Sequence, residues 1–178
     1  GPGGGHHAIA LFAHCFTCSK NLRAVLQISS ALTAQGIAVL SFDFTGLGSS
    51  EGDFENTTFY TNLEDLEAAC KFLEREYHTP FLLIGHSLGG AAVLHVASKL
   101  PEVQAVVTIG APFDPAHVKH LINADPEELE RTGSTEFTIA GQSFRVGEEF
   151  LTALESQDPE PMIRNLKRAL LVMHSPID

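Results

Sequence analysis

The feature that most constrains this chain is one serine between a run of apolar residues and a run of small ones. Residues 81–84 read Phe-Leu-Leu-Ile and lead directly into Gly-His-Ser-Leu-Gly, whose central residue is Ser87. A Gly-x-Ser-x-Gly pattern between a strand and a helix is typical of a sharp turn that exposes the serine hydroxyl. Glycine on both sides removes the side chains that would collide in such a turn. The pattern therefore predicts Ser87 at the carboxyl end of a buried strand.

The residues after this turn predict a helix. Residues 91–100 are small and mostly apolar, as a buried helix requires, and Pro101 ends the run. The N-terminus of such a helix offers free backbone N–H groups and the positive end of the helix dipole, which stabilise negative charge developing on an oxygen. Ser87 is therefore a candidate nucleophile. A structural serine in a tight turn is the alternative.

Apolar runs alternate with helical patterns along the chain. Buried strands are predicted over residues 8–13, 37–42, 81–84, 103–109 and 169–174, and helices over residues 21–35 and 62–77. This alternation predicts one α/β domain of three layers, in which a mostly parallel sheet carries helices on both faces. Functional side chains in such sheets gather at the carboxyl ends of the strands. The residues at those ends are His14, Asp43, Ser87 and Gly110.

The alternation is interrupted between residues 115 and 161. Asp125 followed by Pro126 predicts the start of a short helix, a hairpin turn is expected near Gly141, and residues 148–156 have a helical pattern. We therefore predict a single domain over residues 1–178. Its core comprises residues 8–114 and 162–178, and the intervening insertion forms a cap or lid over the strand ends.

Composition excludes several classes of protein. The 178 residues carry 11 basic and 22 acidic side chains, a net charge of −11, which argues against nucleic acid and anionic membrane surfaces as partners. No apolar run is long enough to span a membrane and no signal sequence is recognisable. Because there are only three cysteines, we expect no disulfide framework and a reducing, cytoplasmic location.

Four motifs together resemble the α/β-hydrolase family over nearly the whole chain. They are the oxyanion-loop sequence at residues 11–17, the loop Asp-Phe-Thr-Gly-Leu-Gly-Ser-Ser at residues 43–50, the turn around Ser87, and His-Ser-Pro-Ile-Asp at residues 174–178. Cys15 stands where the family usually has glycine, and Thr45 where it has arginine. Residues 14–20 and 137–144 more narrowly resemble the hydrolase part of bacterial bifunctional proteins that carry a second, OsmC-like domain, which would then be a partner domain in the parent protein.

The resemblance implies a serine hydrolase that acts on a small ester-like substrate. Ser87 would be the nucleophile, the backbone N–H groups of Phe16 and Leu88 the oxyanion hole, and Asp178 the acid of the catalytic triad. The substrate-contacting residues implied by the same motifs are His14, Cys15 and His86. No cofactor and no metal ion is expected.

The family pattern also implies that parts of the fold lie outside this sequence. The first two strands, the eighth strand and the triad histidine have no counterpart in residues 1–178. Without its base, a serine hydroxyl is a poor nucleophile at neutral pH. We therefore expect the chain to hydrolyse activated esters weakly or not at all, and its exposed sheet edges to favour self-association.

Two alternative functions remain open. The chain could be a non-catalytic binding module that keeps the fold. Alternatively, Cys15 and Cys18 could carry out thiol redox chemistry, although two free thiols beside an active site are the expectation.

Two histidines are candidates for a substitute base. Loop packing is the favoured interpretation for His86, and a structural turn is the favoured interpretation for His174. His117 and His120 are spaced for one helix face, where two ligands alone do not make a zinc site.

Overall fold

The computed structural model describes residues 8–139 and 142–176. These residues form seven strands, which are β1 (Ala8–Ala13), β2 (Ile37–Ser41), β3 (Leu82–His86), β4 (Ala105–Ile109), β5 (Ser134–Ile139), β6 (Gln142–Gly147) and β7 (Ala169–Met173). They also form six α-helices, which are α1 (Arg23–Ala34), α2 (Phe59–Glu76), α3 (Leu88–Ala97), α4 (Pro126–Thr132), α5 (Glu148–Glu155) and α6 (Pro159–Arg164). Two 3₁₀ segments cover Phe54–Asn56 and Pro115–Leu121.

Five strands form a parallel sheet in the order β2-β1-β3-β4-β7. The predicted α/β class is therefore confirmed. The chain runs from β1 outward to β2 and then returns to the other side of β1 as β3, so the direction of winding reverses between β1 and β3. Ligands in open α/β sheets bind outside the carboxyl ends of the strands at such a reversal.

Helices cover both faces of the sheet. Val25 of α1 packs on one face against Ala10, Phe12 and Ile84. Helices α2 and α3 cover the other face, where their apolar side chains join the larger of two hydrophobic clusters. Both faces of the central strands are thus removed from water, which is why these strands are continuous apolar runs rather than alternating ones.

Two helices begin earlier than their patterns predicted. Helix α3 starts at Leu88, because the sharp turn at Ser87 leads straight into it. Helix α2 starts at Phe59, where Thr58 and Thr61 form a reciprocal capping box. This box was missed because threonine, rather than the usual glutamate or glutamine, occupies its third helical position.

The prediction of a buried strand over residues 169–174 is wrong about burial. Strand β7 pairs with β4 as predicted, but Leu171 and Val172 are 56% and 60% exposed. An apolar run alone cannot reveal this, because burial depends on what packs against the strand and not on the strand itself. Within the described residues β7 is an edge of the sheet, as β2 is on the other side.

The segment between β4 and β7 stays outside the parallel sheet. Asp125 caps α4 through the backbone N–H groups of Glu127 and Glu128, and Gly133 ends that helix at a φ of 75°. Strands β5 and β6 pair antiparallel, which confirms the predicted hairpin, and Gly141 itself lies outside the described residues.

An aromatic cluster joins this segment to the core. The ring of Phe16, in the loop after β1, lies 6.1 Å from that of Phe54, 6.1 Å from that of Phe137 and 5.7 Å from that of Phe150. Phe137 also stacks with Phe144 of the hairpin. The loop after β1, the Phe54 segment, the hairpin and α5 therefore share one packed interior.

We expect Phe150→Ala to lower the free energy of unfolding by about 3–5 kcal/mol, because it removes a fully buried ring and leaves a cavity. Urea denaturation followed by circular dichroism measures this. Phe113→Ala is the matched control, since that ring is 64% exposed and its loss should change stability by no more than about 0.5 kcal/mol. Equal losses in the two variants would contradict the packing described here.

Candidate active site

Ser87 occupies a strained turn between β3 and α3. Its φ is 54° and its ψ is −127°, a region that non-glycine residues rarely adopt and that costs on the order of 1–3 kcal/mol. Two backbone hydrogen bonds hold it: the N–H of Ser87 donates to the carbonyl of Ile109 at 2.9 Å, and the N–H of Gly90 donates to the carbonyl of Ser87 at 2.8 Å. The predicted sharp turn is therefore present, and the serine side chain is half-buried.

Two glycines make the turn possible by allowing close backbone approach. A Cβ atom at Gly85 would collide with the backbone of Gly89 and Gly90. A Cβ atom at Gly89 would collide with the carbonyl groups of Ala13 and His14. The first turn of α3 is thus packed directly against the end of β1, which brings the loop after β1 beside Ser87.

The amides predicted to bind the oxyanion lie on these two elements. Leu88 is the first residue of α3, so its N–H has no partner within the helix. Phe16 is buried in the loop after β1. Among residues 8–139 and 142–176, neither N–H donates a hydrogen bond to another residue. Their catalytic role remains a prediction.

Cys15 and Cys18 form a disulfide, with Cα atoms 5.2 Å apart. The expectation of two free thiols is therefore wrong for this pair. The third cysteine, Cys70, is free and buried on α2, where burial raises its pKa to about 12. Because the two cysteines have a sequence separation of 3, the disulfide constrains only the loop after β1 and does not join distant segments. Thiol redox chemistry at Cys15 and Cys18 would require such a disulfide as its oxidised state. That function stays a prediction.

His14 is buried, with only 1% of its surface exposed. Its Nδ1 lies 2.6 Å from the carbonyl of Cys15, and its Nε2 lies 3.3 Å from a carboxylate oxygen of Asp43. Burial lowers the pKa of His14, while the Cys15 carbonyl and the Asp43 carboxylate act in the opposite direction. These contacts are those of a residue that positions the loop. The predicted substrate contacts of His14 and Cys15 remain predictions.

Asp43 connects the loop after β1 to the loop after β2. Its carboxylate accepts hydrogen bonds from the backbone N–H of Lys20 at 2.6 Å and from the N–H and hydroxyl of Ser49 at 3.0 Å and 3.1 Å. The ammonium group of Lys20 lies 3.3 Å away. Burial by itself would raise the pKa of Asp43, but these hydrogen bonds lower it to about 2. The structural role favoured from the sequence is confirmed.

The hydrogen-bond partners of residues in the loop after β2 could not be predicted from the sequence. Thr45, which replaces the family's arginine, donates from its N–H and its hydroxyl to the carboxylate of Asp65 at 2.8 Å and 3.0 Å, and so ties the loop after β2 to helix α2. No local signal indicated this contact, since no periodicity in the chain links residue 45 to residue 65.

The remaining residues singled out from the sequence are His86, His174, His117, His120 and Asp178. A ring nitrogen of His86 lies within 4.8 Å of the sulfur atoms of Cys15 and Cys18. His174 is exposed at the carboxyl end of β7. His117 and His120 lie on a 3₁₀ segment with their rings 5.3 Å apart. Asp178, the predicted triad acid, lies outside the described residues.

Two cavities within the described part of the chain are not lined by Ser87. A cavity of about 380 Å³ lies between the start of α2 and helix α5, lined by residues such as Tyr60, Glu148 and Thr152. Another, of about 10 Å³, lies beside His14, Phe16 and Leu88 and has room for about one water molecule. The larger one is lined by none of Phe16, Ser87 and Leu88, so cavity size does not locate the site here. Among the described helices, none is long and apolar enough to cross a membrane.

Comparison with known proteins adds a family and several relatives. The family described as serine aminopeptidase, S33, matches residues 6–177. Human mitochondrial palmitoyl-protein thioesterase ABHD10 is 32% identical over 122 residues, which are 68% of this chain and 38% of that protein. A carbendazim hydrolyzing esterase of Nocardioides sp. is 32% identical over 111 residues, 61% of this chain and 44% of that protein. The matches thus span less than half the length of these curated relatives.

Two solved structures are similar over most of the chain. The esterase domain of a Rhodothermus marinus protein is 56% identical with a TM-score of 0.73, and the match covers 95% of this chain and 65% of that one. Est1E of Butyrivibrio proteoclasticus, solved with ferulic acid bound, has a TM-score of 0.79 at 20% identity and covers 94% and 68%. At that identity the second likeness concerns the fold alone.

We expect Asp43→Asn to lower the free energy of unfolding near neutral pH and to flatten its acid dependence. The pKa of Asp43 in the folded state, about 2, lies below its ordinary value of 3.8. The ionised carboxylate therefore stabilises the fold fully above pH 3.8, and this contribution is lost as the pH falls through about 2.

Urea unfolding of wild type and variant, from neutral pH down to about pH 2, measures this difference. The control is Glu102→Gln, which removes an exposed carboxylate and should leave the acid dependence of the wild type in place. Identical slopes for wild type and Asp43→Asn below about pH 4 would show that the Lys20 and Ser49 donors do not hold the carboxylate ionised.

Proposed function

Because this chain belongs to the serine aminopeptidase S33 family of α/β-hydrolase-fold serine hydrolases, we propose that it is the core of an acyl hydrolase with Ser87 as its nucleophile. The observation that carries the proposal is the backbone of Ser87, a half-buried residue with positive φ at the reversal point of the sheet. A serine in an ordinary tight turn needs neither this strain nor this position. Strain of this kind concentrates at functional sites.

The proposed reaction is a two-step acyl transfer. The hydroxyl oxygen of Ser87 attacks the carbonyl carbon of an ester or thioester while a base takes its proton. The resulting oxyanion accepts hydrogen bonds from the amides of Leu88 and Phe16, and then collapses as the alcohol or thiol leaves with that proton. Water hydrolyses the acyl-serine by the same steps and releases the acid. The free first-turn N–H of α3 supports the role of Leu88.

The base and its acid are proposed from the family's order of residues. That order is serine, acid, histidine, and it assigns the acid to Asp178 and the histidine to a position beyond it. We therefore propose that residues 1–178 alone hydrolyse activated esters weakly or not at all. An external imidazole should restore part of the missing step.

The substrate class is proposed from the relatives. They include a palmitoyl-protein thioesterase and a carbendazim hydrolyzing esterase, and a related fold was solved with ferulic acid bound. Acyl transfer to serine serves esters and thioesters alike, because both present an electrophilic carbonyl with a leaving group. We propose a small ester or thioester, with the segment over residues 115–161 as the cap that shapes its pocket.

Two partner proposals follow from the sequence and the exposed sheet edge. The resemblance to bifunctional proteins suggests an OsmC-like domain in the parent protein. The exposed apolar side chains of β7, such as Leu171 and Val172, support self-association through this edge.

We expect Ser87→Ala to abolish the hydrolysis of p-nitrophenyl acetate that exceeds the spontaneous rate, and to abolish labelling by a fluorophosphonate probe. Imidazole added to the wild type should raise the Ser87-dependent rate, since a positioned base contributes about 10²–10⁴-fold and a free one recovers part of that. The rate with Ser87→Ala at the same imidazole concentration is subtracted, because imidazole itself cleaves this ester.

Ser98→Ala is the matched control, since Ser98 lies just after the C-terminus of the same helix and its hydroxyl donates to the His95 carbonyl. It should keep both labelling and rate. With imidazole present, equal rates and equal labelling in Ser87→Ala and wild type would favour a non-catalytic binding module. Strong Ser87-dependent turnover without imidazole would show that another base is already in place.

A further inference from the structure

A group of three side chains with strong affinity for metal ions lies beside the strained turn. The sulfur atoms of Cys15 and Cys18 and a ring nitrogen of His86 all lie within 4.8 Å of one another. We refer to these residues as the Cys–Cys–His cluster. They come from the loop after β1 and from the last residue of β3, two strands that pair in the sheet. The proposed acyl transfer assigns no chemical step to this cluster.

The chemistry of the donors selects a class of ion. Thiolate sulfur and imidazole nitrogen are preferred ligands of zinc, with Zn–S distances of about 2.3 Å and Zn–N distances of about 2.0–2.1 Å. Tetrahedral coordination at those distances requires ligand atoms about 3.5–3.8 Å apart. The cluster already lies within 4.8 Å, so rotation of the side chains suffices once the two sulfur atoms are no longer bonded to each other.

The cluster is partly exposed to solvent. Cys15 is buried, whereas Cys18 and His86 are half-buried, so an ion can enter without opening of the core. Two cysteines separated by two residues, with Cα atoms 5.2 Å apart, present both sulfur atoms on the same side of a turn. The turn itself is fixed by a hydrogen bond from the N–H of Cys18 to the carbonyl of Cys15 at 3.1 Å.

We propose that the reduced chain binds one Zn²⁺ ion through Cys15, Cys18 and His86, and that the disulfide is the metal-free, oxidised form of the same site. The two forms exclude each other, because sulfur atoms bonded to each other cannot act as thiolate ligands. Three protein ligands leave a fourth position on the ion for water or another small ligand.

The conversion between the two forms balances with a phosphine reductant such as tris(2-carboxyethyl)phosphine. Phosphorus gives two electrons to the sulfur–sulfur bond and takes the oxygen of one water molecule, and the two protons of that water go to the two sulfur atoms. Zn²⁺ then displaces one proton from each thiol without any change of oxidation state.

Zinc binding to the two redox forms tests the proposal. Isothermal titration calorimetry is performed on the oxidised chain and on the reduced chain, the latter freed of phosphine under nitrogen. The reduced chain should bind one equivalent tightly, and the oxidised chain should lack this site. Co²⁺ in place of Zn²⁺ should give a thiolate-to-metal charge-transfer band in the reduced form only. Neither measurement depends on hydrolase activity, so failure of this proposal is distinguishable from failure of the proposed function.

Single substitutions identify the ligands. Loss of an outer-shell partner of a metal ligand already costs about 10–100-fold in affinity, so Cys15→Ser, Cys18→Ser and His86→Ala should each weaken zinc binding by at least about 100-fold. Cys70→Ser is the matched cysteine control, since Cys70 is buried on α2. His117→Ala combined with His120→Ala tests the surface histidine pair. Both controls should keep the tight site.

Equal zinc affinity in the oxidised and reduced chains would overturn the proposal, and so would full affinity in Cys15→Ser and Cys18→Ser. Full affinity in His86→Ala would overturn the assignment of the third ligand. If a cysteine variant does not fold, the comparison between the two redox forms of the unaltered chain decides the question by itself.

Discussion

The constraint on which the rest of this structure depends is the backbone of Ser87. A non-glycine residue with φ of 54° is unfavourable by itself, so the surroundings must hold it in place. They do so with two short backbone hydrogen bonds and with glycine at positions 85 and 89, which allow helix α3 to contact the end of β1. The parallel pairing of β1 with β3 then fixes which loop lies beside the serine.

Three interactions fix the loop after β1. Asp43 binds its far end through the amide of Lys20, the disulfide clips its middle, and the ring of Phe16 packs into the aromatic cluster that includes Phe150 of the predicted cap. A peptide N–H can stabilise an oxyanion only if its direction is fixed before the reaction, because reorganisation would consume the stabilisation.

Much of the fold could be predicted from the sequence, whereas the exposure of the last strand and the contacts between separate segments could not. The strands, the hairpin and the turn at Ser87 follow from apolar runs, Gly-x-Ser-x-Gly spacing and turn residues, all of which act over a few neighbours. The exposure of Leu171 in β7 and the Thr45–Asp65 contact do not, because they depend on segments far apart in the chain. The capping box at Thr58 is local, but it was missed because an uncommon residue completes it.

The sequence by itself determined the alternating α/β class, the position of the strained serine and the glycine-rich loop that begins at Asp43, because each depends on neighbouring residues. Only the tertiary structure decided that Cys15 and Cys18 are paired, that His14 is turned inward onto Asp43, and that His86 meets the two sulfur atoms. The approach of His86 and of Asp43 depends on the order of strands, which places β3 and β2 on either side of β1. The disulfide is local, but its formation depends on the fold of the loop after β1, which two cysteines in a sequence do not reveal.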